Sequence, residues 1–209
     1  MNSERRDESL LDAWRTGDTA AGELLFTRYY HRIERFFLNK VSSQVEDLVQ
    51  ETFMACLQGR DRLRQRKSFR SYLFAIALNV LRKHLRAKYK HRGDIDFESA
   101  SLFDLTPSPS SMMANRQAKR ILLEGLRRIP IDYQILLELY YWEQMQTPQI
   151  AELLDLPVSS ARRRLGRARE LLARTLGELE MSGRSLSETL SQLDDWAEEC
   201  RRVIHRDPQ

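Results

Sequence analysis

Thr147–Arg169 reads TPQIAELLDLPVSSARRRLGRAR. Ile150, Ala151 and Leu154 form a short apolar face, Asp155-Leu156-Pro157 interrupts it as a turn, and Val158, Ala161, Leu165, Ala168 and Leu172 resume as one stripe at 3-4-3-4 spacing. A helix advances about 100° per residue, so burying that stripe leaves Ser159, Arg163 and Arg167 opposite it and Arg162 and Arg164 on its flanks. Two helices joined by a short turn, the second carrying small polar residues and arginines outward, suit entry into a DNA major groove. Arginine pairs bidentately with guanine, and flanking arginines hold phosphates. An ordinary helical hairpin would share the periodicity, but not this agreement between periodicity and charge placement.

Upstream, helical patterns run over Leu10–Arg15, Thr19–Lys40, Ser43–Gln58 and Ser68–Lys90. The second carries Leu24, Leu25, Tyr29, Ile33, Phe36 and Phe37 at helical spacings. From Gly93 to Ser111 the pattern lapses into Gly, acids and TPSPSS, the composition of a flexible linker. It resumes near Met113, where Pro130 and Pro148 suit first helical turns. An all-α fold follows: a helical domain over 9–92, a linker over 93–112, a helix-turn-helix domain over 113–177 and a helical extension over 178–209. In that extension Leu186, Leu190, Leu193, Ala197, Cys200 and Ile204 form a narrow stripe beside Asp194, Asp195, Glu198 and Glu199. It reads either as a helix docked on its own domain or as an acidic helix that masks a basic face or meets a regulator.

The net charge of +4 says little about partners, but its placement says more. Arg60–Arg92 holds twelve Lys or Arg against the single acid Asp61, whereas residues 1–59 hold seven basic and ten acidic side chains. A solvated basic face could account for the charge alone. The block is also helical and aromatic, a combination suited to an anionic partner.

Within Val45–Leu57, VEDLVQETFMACL, helical geometry sets Val45, Leu48, Val49, Thr52 and Cys56 on one side. Asp47, Gln50, Glu51 and Met54 fall on the other, with Glu46 and Leu57 beside them. An acidic face around an apolar residue suits a protein partner better than DNA. In Ser68–Lys90, SFRSYLFAIALNVLRKHLRAKYK, apolar positions cover most of the helix and leave one polar arc of Ser71, Tyr72, Asn79, Arg82, Lys83 and Arg86. His84 lies on the apolar side and reads as a packed residue.

Cys56 and Cys200 are far apart and have no CxxC or His spacing, so neither a disulfide framework nor a zinc site is expected, and a reducing compartment fits. The start MNSERRDESLLDAW lacks a signal-peptide apolar region, and no apolar run approaches the roughly 20 residues of a membrane span. A cytoplasmic protein is expected, with no membrane association, no cofactor and no metal. The sequence shows no Gly-rich phosphate loop, nucleophile elbow or HExxH, and the Asp47/Glu51 pair has no His beside it, so catalysis is not expected.

Leu126–Tyr141, LRRIPIDYQILLELYY, followed by the helix-turn-helix and by Arg167–Leu172, RARELL, resembles region 4 of the extracytoplasmic-function (ECF) group of the sigma-70 family. Asp155 stands where a turn glycine is usual there, and Ala161 where a larger apolar residue is usual. Val45–Leu57 resembles region 2.2, and Ser68–Lys90 resembles regions 2.3 and 2.4, with Tyr72 where the family usually has Trp. The order and spacing of these motifs span about Ser9 to Leu176, and no third domain lies between them.

The resemblance implies an RNA polymerase sigma factor that binds core polymerase and directs it to promoter DNA, with an anti-sigma factor or another regulator as a further partner; a monomer when free is the simplest assumption. It places Glu46, Asp47, Gln50, Glu51 and Met54 on the polymerase. It places Arg64, Arg66 and Lys67, in a loop that captures an unstacked base, with Tyr72, Asn79, Arg82, Lys83 and Arg86 on the −10 element. It places Ser159, Ser160, Arg162, Arg163, Arg164 and Arg167 on the −35 element. The competing reading is a stand-alone helix-turn-helix regulator with an N-terminal sensory domain.

Overall fold

A computed structural model describes residues 2–59, 68–90, 93–105 and 117–180, with side chains from Asp7 in the first helix and over 121–179 in the last of these stretches. Over them the protein is all-α and divides into two compact units, 1–95 and 96–209. The expected loop residues Arg64, Arg66 and Lys67 and the 178–209 extension past Glu180 lie outside the described residues.

The first unit contains α1 (Asn2–Arg15), α2 (Thr19–Leu38), α3 (Val45–Gln58) and α4 (Phe69–Lys88). Asp18 starts α2 by accepting from the Ala21 N–H at 3.1 Å. Leu25, Tyr29, Ile33 and Phe37 from α2 meet Leu48, Val49 and Cys56 from α3 and Phe69, Leu73, Leu81 and Leu85 from α4 in one buried core. Leu24, expected on the same stripe, is instead 58% exposed, because the α2 core face is only as wide as the helices opposite it.

Helix α1 begins well before the expected Leu10. The buried Asp7 accepts hydrogen bonds from the Tyr29 hydroxyl and the Arg28 guanidinium, while Leu11 and Trp14 are buried. Burial, then Asp7, pushes the Tyr29 phenol well above its ordinary value. At the other end of α2, the buried Lys40 donates from Nζ to the Phe36 carbonyl at 2.8 Å and sits 4.1 Å from the Phe36 ring centroid, where the helix dipole favours a cation.

The second unit contains α5 (Leu102–Leu105), α6 (Gln117–Arg128), α7 (Ile131–Tyr141), α8 (Thr147–Leu153) and α9 (Val158–Glu180). Helix α7 is buried nearly all round, and within it the Gln134 Nε2 donates to Glu138 Oε1 at 2.9 Å. Pro130 precedes α7, and Pro148 lies in the first turn of α8. Ala161, Leu165, Ala168 and Leu172 form the buried side of α9, as the spacing predicts. Gly125 lets α6 approach α9 closely, since a Cβ there would stand 2.7 Å from Leu176 Cδ2.

Three expectations about this unit change. Leu153, rather than Leu154, is the buried leucine of α8, and Val158 is 40% exposed instead of joining the stripe. Val158 opens its helix, so no preceding turn covers it. Part of the stretch expected to be linker also belongs to the fold. Phe97 and Leu102 are buried, the Phe97 and Ala100 carbonyls accept from the Asp132 and Ile131 N–H groups at 3.1 and 3.0 Å, and Ser101 bridges to Pro130. Two apolar anchors and backbone pairing fix this segment without helical periodicity.

The turn between α8 and α9 holds Asp155 at φ 55°, in the left-handed region that Asp tolerates. Asp155→Val is therefore expected to destabilise the protein by about 1–2 kcal/mol, while Asp155→Gly should not, as read by urea denaturation. Equal losses from both substitutions would show that the side chain, not the backbone, matters there.

Candidate functional site

Helix α3 divides into two faces as its sequence predicts. Leu48, Val49, Thr52, Phe53 and Cys56 are buried, while Glu46, Asp47, Gln50 and Glu51 are exposed around Met54 (48%) and Leu57 (45%). Thr52 is accommodated in the core because its hydroxyl donates to the Leu48 carbonyl at 2.7 Å. The exposed face keeps four polar side chains around an apolar centre, the anatomy of a protein-binding patch. Tyr30, 40% exposed on α2, stacks parallel to Phe53 at 6.3 Å and brings an aromatic edge to α3. Sequence reasoning passed over Tyr30 because its neighbour Tyr29 occupies the stripe.

On α4, Asn79, Lys83 and Arg86 are exposed and Arg82 is half-buried. Lys83 reaches across to Glu51 of α3 at 2.8 Å, so one residue of the acidic face and one of the basic face are already paired. Ser71 and Tyr72 do not join the exposed arc. The Tyr72 ring is buried and its hydroxyl donates to the Gly59 carbonyl at 3.1 Å, while a Cβ on Gly59 would lie 2.0 Å from that hydroxyl. The expected polar arc is thus corrected at its N-terminal end, where Tyr72 closes over the end of α3. His84 is half-buried, and burial followed by repulsion from Lys88 pulls its ring below the ordinary value, against the attraction of Glu51.

Cys56 is fully buried, and burial pushes its thiol up to about 12. A Cys200→Ser chain is expected to resist maleimide labelling under native conditions and to label once urea unfolds it, as followed by mass spectrometry. Rapid native labelling would contradict this placement of α3.

On α9, Ser159, Arg162, Arg163 and Arg167 are exposed, and Ser160 and Arg164 are half-buried. Arg167 pairs along the helix with Glu170 at 3.2 Å, and Arg164 reaches Glu98 at 2.8 Å. Elsewhere on α9, Arg169 donates to the Tyr141 hydroxyl at 2.9 Å and lies 4.9 Å from the Tyr140 ring centroid, which ties α9 to α7. Val158 adds an exposed apolar side chain at the first turn, missed because periodicity weighs hydrophobicity but not position in the helix. Among the described residues, no group of His, Cys, Asp and Glu is placed to hold a metal ion, and no helix is long and apolar enough to cross a membrane.

Residues 25–91 match the Sigma-70 region 2 family, and residues 119–172 match Sigma-70, region 4. The ECF RNA polymerase sigma-E factors of Salmonella typhimurium strain LT2 and Escherichia coli strain K12 are each 28% identical over 181 residues, covering 82% of this chain and 95% of the relative. The fold resembles CnrH, solved in complex with the cytosolic domain of CnrY, with TM-score 0.60 and 23% identity over 83% of this chain and 98% of that one. It also resembles the sigma factor RpoE of Bartonella quintana, solved with the anti-sigma factor NepR, with TM-score 0.54 and 19% identity over 78% and 98%. The two region matches, one in each helical unit, place the chain in the sigma-70 family of transcription initiation factors. The chain belongs to the ECF group of that family and is an RNA polymerase sigma factor.

Proposed function

We propose that the exposed face of α3 binds core RNA polymerase, with Glu46, Asp47, Gln50 and Glu51 surrounding Met54. Its division into a buried apolar side and an exposed acidic side with an apolar centre is the observation that carries this reading. Asn79, Arg82, Lys83 and Arg86 on α4 then meet the −10 element, their cations neutralising phosphates. Arg64, Arg66 and Lys67 supply the base-capturing loop by resemblance. The outer side of α9, from Ser159 and Ser160 through Arg162, Arg163, Arg164 and Arg167, reads the −35 element from the major groove.

The chain contributes binding and positioning and leaves catalysis to the polymerase, so its work is cytoplasmic. Both structural neighbours were solved with a protein partner, and an anti-sigma factor is the corresponding regulator for this chain. A gel shift on promoter duplex with and without core tests the function. Weak binding alone and specific binding with core are expected; tight specific binding without core would favour a stand-alone regulator.

Arg163→Ala is expected to cost about 1–3 kcal/mol of discrimination at one −35 position, measured by competition among duplexes substituted at each base pair. An equal loss on every duplex would assign Arg163 to phosphate instead.

A further inference from the structure

The turn just ahead of α5 places a carboxylate on α9. Glu98 Oε1 lies 2.8 Å from Arg164 Nη2, an ion pair between residues 66 apart in sequence. The position of Glu98 is built by its neighbours. The Asp96 carboxylate accepts from the Glu98 N–H at 3.0 Å and from the Ser99 hydroxyl at 2.8 Å, and the Asp96 carbonyl accepts from the Ala100 N–H at 2.8 Å. These bonds close a tight turn. Phe97 and Leu102 bury on either side of the turn, and the backbone pairs with the residues that open α7. Further along, Arg127 donates to the Leu102 carbonyl at 3.4 Å and Arg128 lies 4.4 Å from the Phe103 ring centroid.

Arg164 is the member of the α9 arginine set that this turn reaches. Its side chain is 29% exposed, against 56% for Glu98, so the guanidinium is flanked by protein while the carboxylate keeps an open side. Carboxylate and phosphate oxygens satisfy the same guanidinium fork. A partly exposed pair of this kind is weak and exchangeable.

We propose that Glu98 is a built-in stand-in for DNA phosphate. It holds Arg164 in the free protein, and on promoter binding Arg164 exchanges it for a backbone phosphate. This rests on the reading of α9 as the −35 helix. The turn then lowers the affinity of the helix for arbitrary DNA by occupying one phosphate contact, and it keeps Arg164 oriented for the exchange. The acid comes from the stretch that composition alone assigns to a linker.

The test compares wild type, Glu98→Gln, Arg164→Ala and the double variant as full chains. Each is assembled with core polymerase and titrated over a range of salt on a promoter duplex chosen by the wild-type holoenzyme from a library randomised at −35. Glu98→Gln is expected to bind about two- to five-fold tighter than wild type. Arg164→Ala should bind more weakly, with a salt slope shallower by about one. In the Arg164→Ala background the Glu98 exchange should change nothing. No gain from Glu98→Gln overturns the proposal, as does a gain that survives loss of Arg164, which would show general repulsion of DNA by the carboxylate. Thermal melts of Glu98→Gln that match wild type locate the effect at the DNA surface; a loss of folding stability would make the pair a structural clasp and likewise overturn it. If the wild-type holoenzyme selects no −35 sequence at all, the underlying reading of α9 fails, a result distinct from any of these.

Discussion

Arginine in place of both Asp47 and Glu51 is expected to lower affinity for core polymerase at least about 100-fold while leaving the fold intact. Both carboxylates are exposed on α3, and neither supports the core. Surface exchanges of this kind usually change stability within about 0.5 kcal/mol. The first turn of α3 loses an acid that complements its dipole, which adds a cost of about 0.3–1 kcal/mol. Removing one member of a desolvated interfacial charge pair costs about 2–5 kcal/mol, and reversal adds repulsion, so two reversals readily exceed the 2.7 kcal/mol of a 100-fold loss.

The Glu51–Lys83 pair sets the control. Arginine at 51 faces Lys83 with a like charge, so part of any promoter defect would come from α4 rather than from the polymerase contact. Lys83→Ala alone should leave core affinity nearly unchanged. Core binding is read by co-elution or fluorescence anisotropy, and circular dichroism reports the fold. Affinity retained in the double variant would remove α3 from the interface.

How much of this could be read from residues depended on how each segment is held. The faces of α3 and the buried side of α9 follow from helical period because each helix packs along one line. Leu24 and Val158 escaped the period because burial needs an opposing element, and neither has one. Tyr72 was legible as a polar-arc residue only while Gly59 was unplaced. With no Cβ there, the ring can lie over the end of α3, and tertiary contact overrides helical phase. The early start of α1 was hidden by its charge. MNSERRDES reads as solvated until Tyr29 and Arg28 bring hydrogen bonds to Asp7. Asp96–Leu105 was hidden differently: its two apolar anchors are held by backbone pairing, which leaves no periodic trace.

Trp14→Ala is expected to be the most damaging single truncation in the first unit, at about 3–5 kcal/mol. The indole is 3% exposed and meets Phe26 edge-on at 5.5 Å and Phe69 at 6.4 Å, so it joins α1, α2 and the start of α4. That loss is a large fraction of the about 5–15 kcal/mol that holds a typical domain together. Gly22 is the counterpart of this ring. A Cβ there would stand 2.6 Å from both Cδ1 and Nε1 of Trp14, so Gly22→Ala must displace the indole, an overpacking cost of about 1–3 kcal/mol that the better helix propensity of alanine offsets only in part. The two changes share one volume. In Trp14→Ala/Gly22→Ala the new methyl enters space the indole has left, so the double variant should lose less stability than the two single losses combined. Urea unfolding of the full chain by far-UV circular dichroism measures all three. Strict additivity would mean that α1 does not pack on α2 through this ring.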